Sequence, residues 1–343
     1  MRLAAGDRVG DWIVQGPLGE GGMGEVYAAH NALSERVRAA LKIVKPAKLS
    51  TERGRFLREV EALHTLDHPA IVRLLSFGVD EERQLMYCAM QLMEGDTLRT
   101  WRDKGPMPLD LARWLFAQLA DGLAHAHAVG IHHRDIKPSN VIVAADASRA
   151  TLLDFGIALQ QDRTRLTAVG VFNGTPAYMP PEVFETDDVD HAAGDVYALG
   201  QIMYEALTGG PLIEYRPELT AGQVAGRVMR AKLSVEPLDP GDRVPQAMRG
   251  LIKLATARNP AGRPTMAELA AGLRDPKLVK ITGTHWVQRH TSHDDTYQAA
   301  PVSRAPRSRI GLYLMLVLAA LAVVAALLVV AVAAGMVLGT YAM

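Results

Sequence analysis

Apolar positions in the first hundred residues fall into short β-type runs broken by turns. Trp12-Ile13-Val14, Val26-Tyr27-Ala28 and Ala39 to Val44 are separated by a Gly-rich turn and by a polar turn near Asn31 to Ser34, which predicts a small antiparallel meander. Thr51 to Leu66 then places Phe56, Leu57, Val60, Leu63 and Leu66 near helical spacing, the pattern of an amphipathic helix. Two more strands are predicted over Ile71 to Phe77 and Gln84 to Leu92, and Met93-Glu94-Gly95-Asp96 reads as a connector. Beyond it the period lengthens. Leu109 to Val129 is a long apolar-periodic helix, Val141-Ile142-Val143 and Thr151-Leu152-Leu153 are short strands, and helical patterning resumes from Asp195 through Leu207. The class is α+β and bilobal. Residues 1–10 form a lead-in, 11–92 a small antiparallel-sheet lobe with one helix, and 96–274 a mainly helical lobe.

The pattern changes again after that. Residues 275–309 lose apolar periodicity and carry polar, Pro and Arg residues, as a flexible linker does. Ile310 to Leu338 carries no charged residue, and about 20 apolar residues suffice to cross a bilayer, so one C-terminal transmembrane helix is expected. Arg304, Arg307 and Arg309 precede it and no charge follows. The positive-inside rule therefore places residues 11–274 in the cytoplasm, with a short outer tail at 339–343, as a single-pass protein of the cell membrane. Ala331, Gly335 and Gly339 form a small-xxx-small row. Such rows let two helices pack as a homodimer, and they also arise freely in Ala-rich spans.

Composition narrows the chemistry. The 37 basic and 37 acidic residues cancel, so no global field points to nucleic acid as a partner. The single cysteine, Cys88, lies in the apolar run Leu85 to Met90. It excludes an intrachain disulfide, fits a reducing compartment, and reads as a buried thiol rather than a nucleophile. The residues before Asp7 lack the apolar core of a secretory signal.

Four groups of residues carry candidate chemistry. The first is Gly19-Glu20-Gly21-Gly22-Met23-Gly24-Glu25-Val26, where glycines let backbone N–H groups approach phosphate oxygens, or simply make a hairpin turn. No Lys-Ser/Thr pair follows the last glycine and the next element reads as a strand, which sets aside a P-loop and a dinucleotide fold. The second is Lys42, a charge in an apolar strand, either solvated or a phosphate ligand; Glu59 and Glu61 compete as its partner on spacing. The third, and the centre of the chain, is His133-Arg134-Asp135-Ile136-Lys137-Pro138-Ser139-Asn140, a polar loop between a helix and a strand. There a carboxylate could accept a proton, an ammonium could face a phosphate and a carboxamide could ligate a metal, or the stretch is an ordinary solvated loop. The fourth is Asp154-Phe155-Gly156, separated from Asn140 by enough chain for a hairpin that brings both to one metal. His125, His127, His132 and His133 are not a metal set, because helix positions two apart do not converge and no Cys or acidic partner has ligand spacing.

In this order and at these separations, the Gly loop, strand Lys, helix Glu, His-Arg-Asp-x-Lys-x-x-Asn, Asp-Phe-Gly and Pro-Glu segments resemble the protein-kinase family over roughly residues 10 to 273. Asp135-Ile136-Lys137-Pro138-Ser139-Asn140 is similar to serine/threonine kinases, and the Gly loop resembles the bacterial eukaryotic-like (Hanks-type) branch. The resemblance implies ATP as phosphate donor with Mg²⁺, or Mn²⁺ in its place, and protein Ser/Thr hydroxyls as acceptors. It implies that the loop from Gly19 to Gly24, Glu20, Gly21, Gly22 and Met23 included, covers the phosphates, and that Lys42, paired by Glu59, holds them. Val26 and Ala40 would pack on adenine, with Met90 as gatekeeper and Gln91 to Met93 as hinge. Asp135 and Lys137 would be catalytic, Asn140 and Asp154 metal ligands, and Asp195 and the Glu182–Arg263 pair supports. It further implies that Arg134 reads a phosphate on the loop that contains Thr164 and Thr167, and that Thr175 is a structural or substrate-contact hydroxyl. One departure is Pro180, where the family usually has a small residue; it removes no catalytic group. Two alternatives stand beside an active protein kinase: a catalytically weak nucleotide-binding scaffold, opposed by the intact Lys42, Asp135, Asn140 and Asp154, and a small-molecule kinase, opposed by Lys137-Pro138 and the Gly174 to Glu182 segment.

Overall fold

The computed structural model describes residues 2–21, 24–44, 49–155, 176–186, 188–214, 221–234 and 237–275, except for the side chains of residues 20, 21, 49–53, 55, 58, 59, 221, 225 and 234. All of these lie in the first of two compact units, Met1–Trp286; the second is Val287–Met343. The expected transmembrane stretch 310–338 lies outside the described residues, as do the linker from 276 and the tail 339–343. Among the described residues no helix is long and apolar enough to cross a membrane.

The first lobe is a sheet with one helix. Its elements are β1 (Arg8–Val9), β2 (Trp12–Gly21), β3 (Gly24–Asn31), β4 (Ser34–Val44), α1 (Leu49–His64), β5 (Leu74–Asp80) and β6 (Leu85–Gln91). The spatial order is β1-β2-β3-β4-β6-β5. Period-two alternation sorts its side chains onto two faces. Ala39, Leu41, Ile43, Leu85, Tyr87 and Ala89 join Trp12, Val14 and Tyr27 in one core. Val44, Met86, Cys88 and Met90 point the other way and pack on Phe56 and Val60 of α1. Strand β6 is thus buried on both sides, which explains its unbroken apolar run.

Two expectations shift here. Residues 1–10 are more than a lead-in: Leu3 and Val9 belong to the first core, and Arg8 and Val9 pair with Ile13 and Trp12. A two-residue strand is too short for alternation to reveal it. The strand expected to begin at Ile71 begins at Leu74, because Ile71 makes a single parallel bridge to Leu152 of the second lobe instead. That bridge, with Val72 N donating to Leu152 O at 2.9 Å and Leu152 N to Ala70 O at 2.8 Å, ties the lobes together.

The second lobe contains β7 (Asp96–Thr97), α2 (Leu98–Asp103), α3 (Leu109–Ala128), β8 (Val141–Val143), β9 (Ala150–Leu152), α4 (His191–Thr208), α5 (Ala221–Ser234), α6 (Gln246–Ala255) and α7 (Met266–Arg274). Helix α3 is buried along Ala112, Leu115, Phe116, Leu119, Ala120, Leu123 and Ala126, a 3.6-period stripe. Each fully buried leucine of that stripe stabilises the lobe by about 1.5–3 kcal/mol. Helix α4 starts where the Asp190 side chain accepts from Ala192 N and Ala193 N, and ends at left-handed Gly209. It is buried nearly all round, and Gly200 admits α6 so closely that a Cβ there would lie 2.7 Å from Ala255 Cβ. The connector at Met93 to Asp96 is not loose: Asp96 and Thr97 pair with Val143 and Ile142. As the spacing between Asn140 and Asp154 suggests, β8 and β9 form a hairpin, Val141 opposite Leu152.

Candidate active site

The polar loop after α3 is organised by one carboxylate from α4. Asp195, 2 % exposed, accepts from His133 N (2.8 Å) through Oδ2 and from Arg134 N (2.8 Å) through Oδ1, and its Oδ2 also meets His127 Nε2 at 2.9 Å. Two successive N–H groups can point at one carboxylate only if the chain turns sharply, and Arg134 sits at φ 61°. For a non-glycine residue that conformation costs about 1–2 kcal/mol, which the two charge-assisted bonds offset. Burial alone would raise the Asp195 carboxyl; the hydrogen bond from His127 and the neighbouring His133 outweigh it and hold it below the usual aspartate range.

His133 carries the constraint onward. Its ring is fully buried, its Nε2 lies 2.8 Å from Leu153 O, and it packs on Phe155 with centroids 4.6 Å apart. The residue before Asp154 and the residue after it are therefore both fixed from the same loop. Asp154 itself stands at φ 49°.

Next comes the cluster that could do chemistry. Lys137 Nζ donates to Asp135 Oδ2 at 2.8 Å, and Asn140 Nδ2 donates to the same oxygen at 3.1 Å and to Asp135 O at 2.8 Å. Leu153 N donates to Asn140 O at 2.8 Å, so Asn140 and Asp154 flank one backbone hydrogen bond. The carboxamide nitrogen of Asn140 is committed to Asp135, which leaves its oxygen, together with the Asp154 carboxylate, as a hard-oxygen pair. Mg²⁺ suits such a site, since it is typically held by one or two protein oxygens with phosphates and waters completing the shell. Asn140 and Asp154 thus fit the metal role by their donor chemistry.

From the other lobe, Lys42 reaches in. It is 3 % exposed, and its Nζ lies 2.9 Å from Asp154 Oδ1. Strand register explains its direction. Val26, Lys42 and Cys88 lie opposite one another, as do Ala28, Ala40 and Met90 two residues along, so all six share the α1 face of the sheet. Met93 packs on the same core and Gln91 is exposed at the end of β6. The Cys88 thiol is buried, as expected, and burial pushes it up to about 12 despite the nearby Lys42 ammonium. The partner expected for Lys42, Glu59, has its side chain outside the described residues, and the competing Glu61 is exposed on α1.

The glycine hairpin is partly described. Gly19 and Gly21 end β2 and Gly24 opens β3, with Gly21 opposite Gly24. At φ 138° a Cβ on Gly24 would lie 2.1 Å from Ile43 O, so close strand approach requires this glycine quite apart from any ligand. Gly22 and Met23 lie outside the described residues, as do Gly156, Thr164, Thr167, Thr175 and the Glu20 side chain. His127 and His133 spend their Nε2 atoms on Asp195 and Leu153 O, and no group of three or more His, Cys, Asp or Glu among the described residues is arranged to hold a metal ion.

Below the loop lie two buried polar clusters. Arg263 forks onto Glu182 (2.6 and 2.7 Å), and its remaining donors meet Ala193 O, Ala257 O and Arg258 O, so all five N–H groups are used. Pro180, just upstream, is buried and tolerated: a Cβ on Gly194 would still lie 3.5 Å from its Cγ. The second cluster is absent from the sequence reading. Glu205 accepts from Arg102 Nη1 (2.9 Å), Tyr178 OH (3.0 Å), Gln201 Nε2 (3.1 Å) and Leu212 N (3.0 Å). Lys232 joins it through Gln201 Oε1, and burial, only partly opposed by Glu205, pulls its pKa down to about 7. The signal that could have found the cluster is a polar residue at an apolar-phase position, as Gln201 and Glu205 are on α4.

The comparisons agree with this geometry. A family model described as protein kinase domain matches residues 12–272. The chain is 37% identical over 261 residues to the serine/threonine-protein kinase PknD of Mycobacterium tuberculosis, covering 75% of this chain and 38% of that protein. It is 36% identical over 279 residues to PkaA of Streptomyces coelicolor (77% and 49%) and 35% identical over 271 residues to pkn3 of Myxococcus xanthus (74% and 48%), both named serine/threonine-protein kinases. The chain spans less than half the length of each of these relatives.

Asp195→Asn removes one of the paired acceptors and the charge, and is expected to destabilise the fold by about 3 kcal/mol at neutral pH, the usual cost of breaking a buried pair. Because the Asp195 carboxyl is lowered on folding, its contribution is complete above the ordinary value of 3.8 and disappears as pH falls through the folded value. Urea midpoints of the two proteins should therefore differ at pH 7 and converge below pH 3.8. Equal midpoints at pH 7 would contradict the assignment.

Proposed function

The chain belongs to the protein kinase family, and on that premise we propose that it is an active serine/threonine protein kinase, transferring the γ-phosphate of ATP to hydroxyls of protein Ser and Thr. The observation that carries this is the single hydrogen-bonded unit made by Asp135, Lys137, Asn140 and the backbone leading to Asp154. Asp135 orients the acceptor hydroxyl and takes its proton, and Lys137 neutralises the transferring phosphate. Asn140 and Asp154 would hold Mg²⁺, which when bound supplies positive charge to the phosphates. Lys42 holds the α/β-phosphates, the hairpin from Gly19 to Gly24 covers them, and Val26, Ala40 and Met90 face the adenine ring with Gln91 and Met93 as hinge. Phosphoryl transfer asks a protein for positioning and neutralised charge more than for covalent chemistry, and this unit supplies both.

Regulation follows from Arg134. Its backbone is locked by Asp195, and a guanidinium held there suits a loop phosphate, which adds nearly two negative charges. Thr164 and Thr167, with Arg163 and Arg165 beside them, are the proposed autophosphorylation sites. The same reading tethers the kinase domain to the cytoplasmic face of the cell membrane through Ile310 to Leu338, with Arg304, Arg307 and Arg309 inside.

Incubated with labelled ATP and Mg²⁺, the full chain should incorporate phosphate that peptide mass spectrometry maps to Thr164 or Thr167. Asp135→Asn should incorporate at least 100-fold less, the low end of what a positioned base contributes (about 10²–10⁴). Wild-type-like labelling of Asp135→Asn would refute the chemistry, and phosphate only outside the loop would refute the regulation. For the tether, membranes from cells making the chain are washed in alkaline carbonate. The chain should stay in the pellet and a variant lacking 310–338 should be released; release of both would discard the anchor.

A further inference from the structure

The glycine hairpin is held weakly by its own ladder. Pairing of β2 with β3 shifts register twice, between Val14 and Gly16 and again between Pro17 and Gly19, and Pro17 has no N–H to give to a ladder. Strand β1 covers β2 only at Trp12 and Ile13. The residues before it extend that cover to Val14, through Gly6 N to Val14 O (2.8 Å) and Val14 N to Asp7 O (2.9 Å). From Gln15 to Gly21, among the described residues, β2 has no strand on its outer side. Ahead of Gly6 the chain turns, with Ala4 N donating to Asp7 Oδ2 at 2.8 Å, and buried Leu3 enters the core that contains Tyr27. There Leu3 N donates to Tyr27 Oη at 3.0 Å, and the Tyr27 hydroxyl donates to the Glu25 carboxylate. The order of donation is fixed, because an N–H only donates and the hydroxyl proton is left for the carboxylate. Arg2, Leu18, Gly19 and Glu25 line one hollow with Tyr27, so the N-terminal segment lies against both strands of the hairpin. A phenylalanine would fill the place of Tyr27 without burying a polar group, so packing alone does not ask for a tyrosine.

We infer that Tyr27 is a positioning residue for the nucleotide: through its hydroxyl the N-terminal segment holds the glycine hairpin in place beside Lys42. Alternation along β3 supplies the geometry. Glu25 and Tyr27 share the face away from α1, while Val26 between them stands opposite Lys42, whose ammonium meets Asp154. Gly24, on the other side of Glu25, lies so tight on β4 that a Cβ there would run into Ile43 O. Glu25 is therefore where the link from Leu3 meets the root of the hairpin, and a displacement there reaches Gly24 and Val26 together. The choice of ligand rests on the kinase reading of the preceding subsection. The link from Leu3 through Tyr27 to Glu25 is independent of it.

The test compares the full chain with Tyr27→Phe, with a chain lacking residues 2–5, and with the two changes combined. Tyr27→Phe keeps the ring in the core and removes only the hydroxyl. Its affinity for ATP with Mg²⁺, read by calorimetry, should fall roughly five- to tenfold, about the worth of one hydrogen bond. KM for ATP should rise by the same factor, while KM for myelin basic protein as acceptor moves less than about twofold. The shortened chain should lose as much, and the combined variant no more than either alone, since both changes cut one link. Hydrogen exchange of the peptide spanning 15–27 should quicken in all three. Unchanged ATP affinity or unchanged exchange in Tyr27→Phe would overturn the inference, as would both KM values rising together or losses that multiply in the combined variant. A wild type that binds ATP and passes on no phosphate would refute the kinase reading alone, and the affinity comparison would still decide the role of Tyr27. A wild type that does not bind ATP would overturn both.

Discussion

A buried carboxylate with two backbone N–H groups pointed at it is a demanding arrangement, and in this protein everything near the polar loop follows from it. Asp195 lies on the most completely buried helix among the described residues, so its position is set by packing on all sides. His133 N and Arg134 N can both reach it only with Arg134 in the left-handed region. Once that turn is made, His133 points inward to Leu153 and Phe155, and Asp135 emerges beside Lys137 and Asn140. Removing the carboxylate would leave two N–H groups unpaired and release a strained turn, so the loop and the strand end bearing Asp154 would loosen together. Their coupling is geometric before it is catalytic.

The same economy of donors and acceptors runs through the lower part of the helical lobe. The fork of Arg263 on Glu182 uses every guanidinium proton, the condition under which a buried ion pair is tolerable. Glu205 gathers four donors from three parts of the chain. Such clusters add little net stability compared with an apolar core of the same volume. What they add is a single orientation for the segment from Pro176 to Glu182, which Gln201, Glu205 and Arg263 hold through Ala177 O, Tyr178 OH and Glu182. Lys42 plays the corresponding part in the other lobe, where an ammonium on an apolar strand face bonds across to Asp154 and makes the relative placement of the lobes matter to the site.

Much of this was legible in the amino-acid sequence because it rests on local periodicity and on motif spacing. Short β-type runs between turns mark β3, β4 and β6, the apolar stripe marks α3, and the interval between Asn140 and Asp154 suggests the β8–β9 hairpin. What escaped depends on contacts distant in sequence. Arg8 and Val9 become a strand only because Trp12 and Ile13 offer an edge. Ile71 leaves the expected strand because Leu152 bridges it. Spacing alone does not choose between Glu59 and Glu61 for Lys42; among the described residues Asp154 meets its ammonium, and the Glu59 side chain lies outside them. Lys232, Gln201, Glu205 and Arg102 belong to no motif, and only the packing of α2, α4 and α5 brings them into a cluster.

The central claim is that Lys42, Asn140 and Asp154 are held ready for a metal–nucleotide complex and that Asp135 acts on it. The most direct measurement is single-turnover transfer of the γ-phosphate, with ATP binding followed in parallel by calorimetry, for the wild type and Asp154→Asn with and without Mg²⁺. The account predicts transfer by the wild type only with the metal, nucleotide affinity that rises on adding it, and loss of both effects in Asp154→Asn. Transfer by Asp154→Asn at the wild-type rate, or a wild type that binds ATP with Mg²⁺ and never passes its phosphate on, would contradict it.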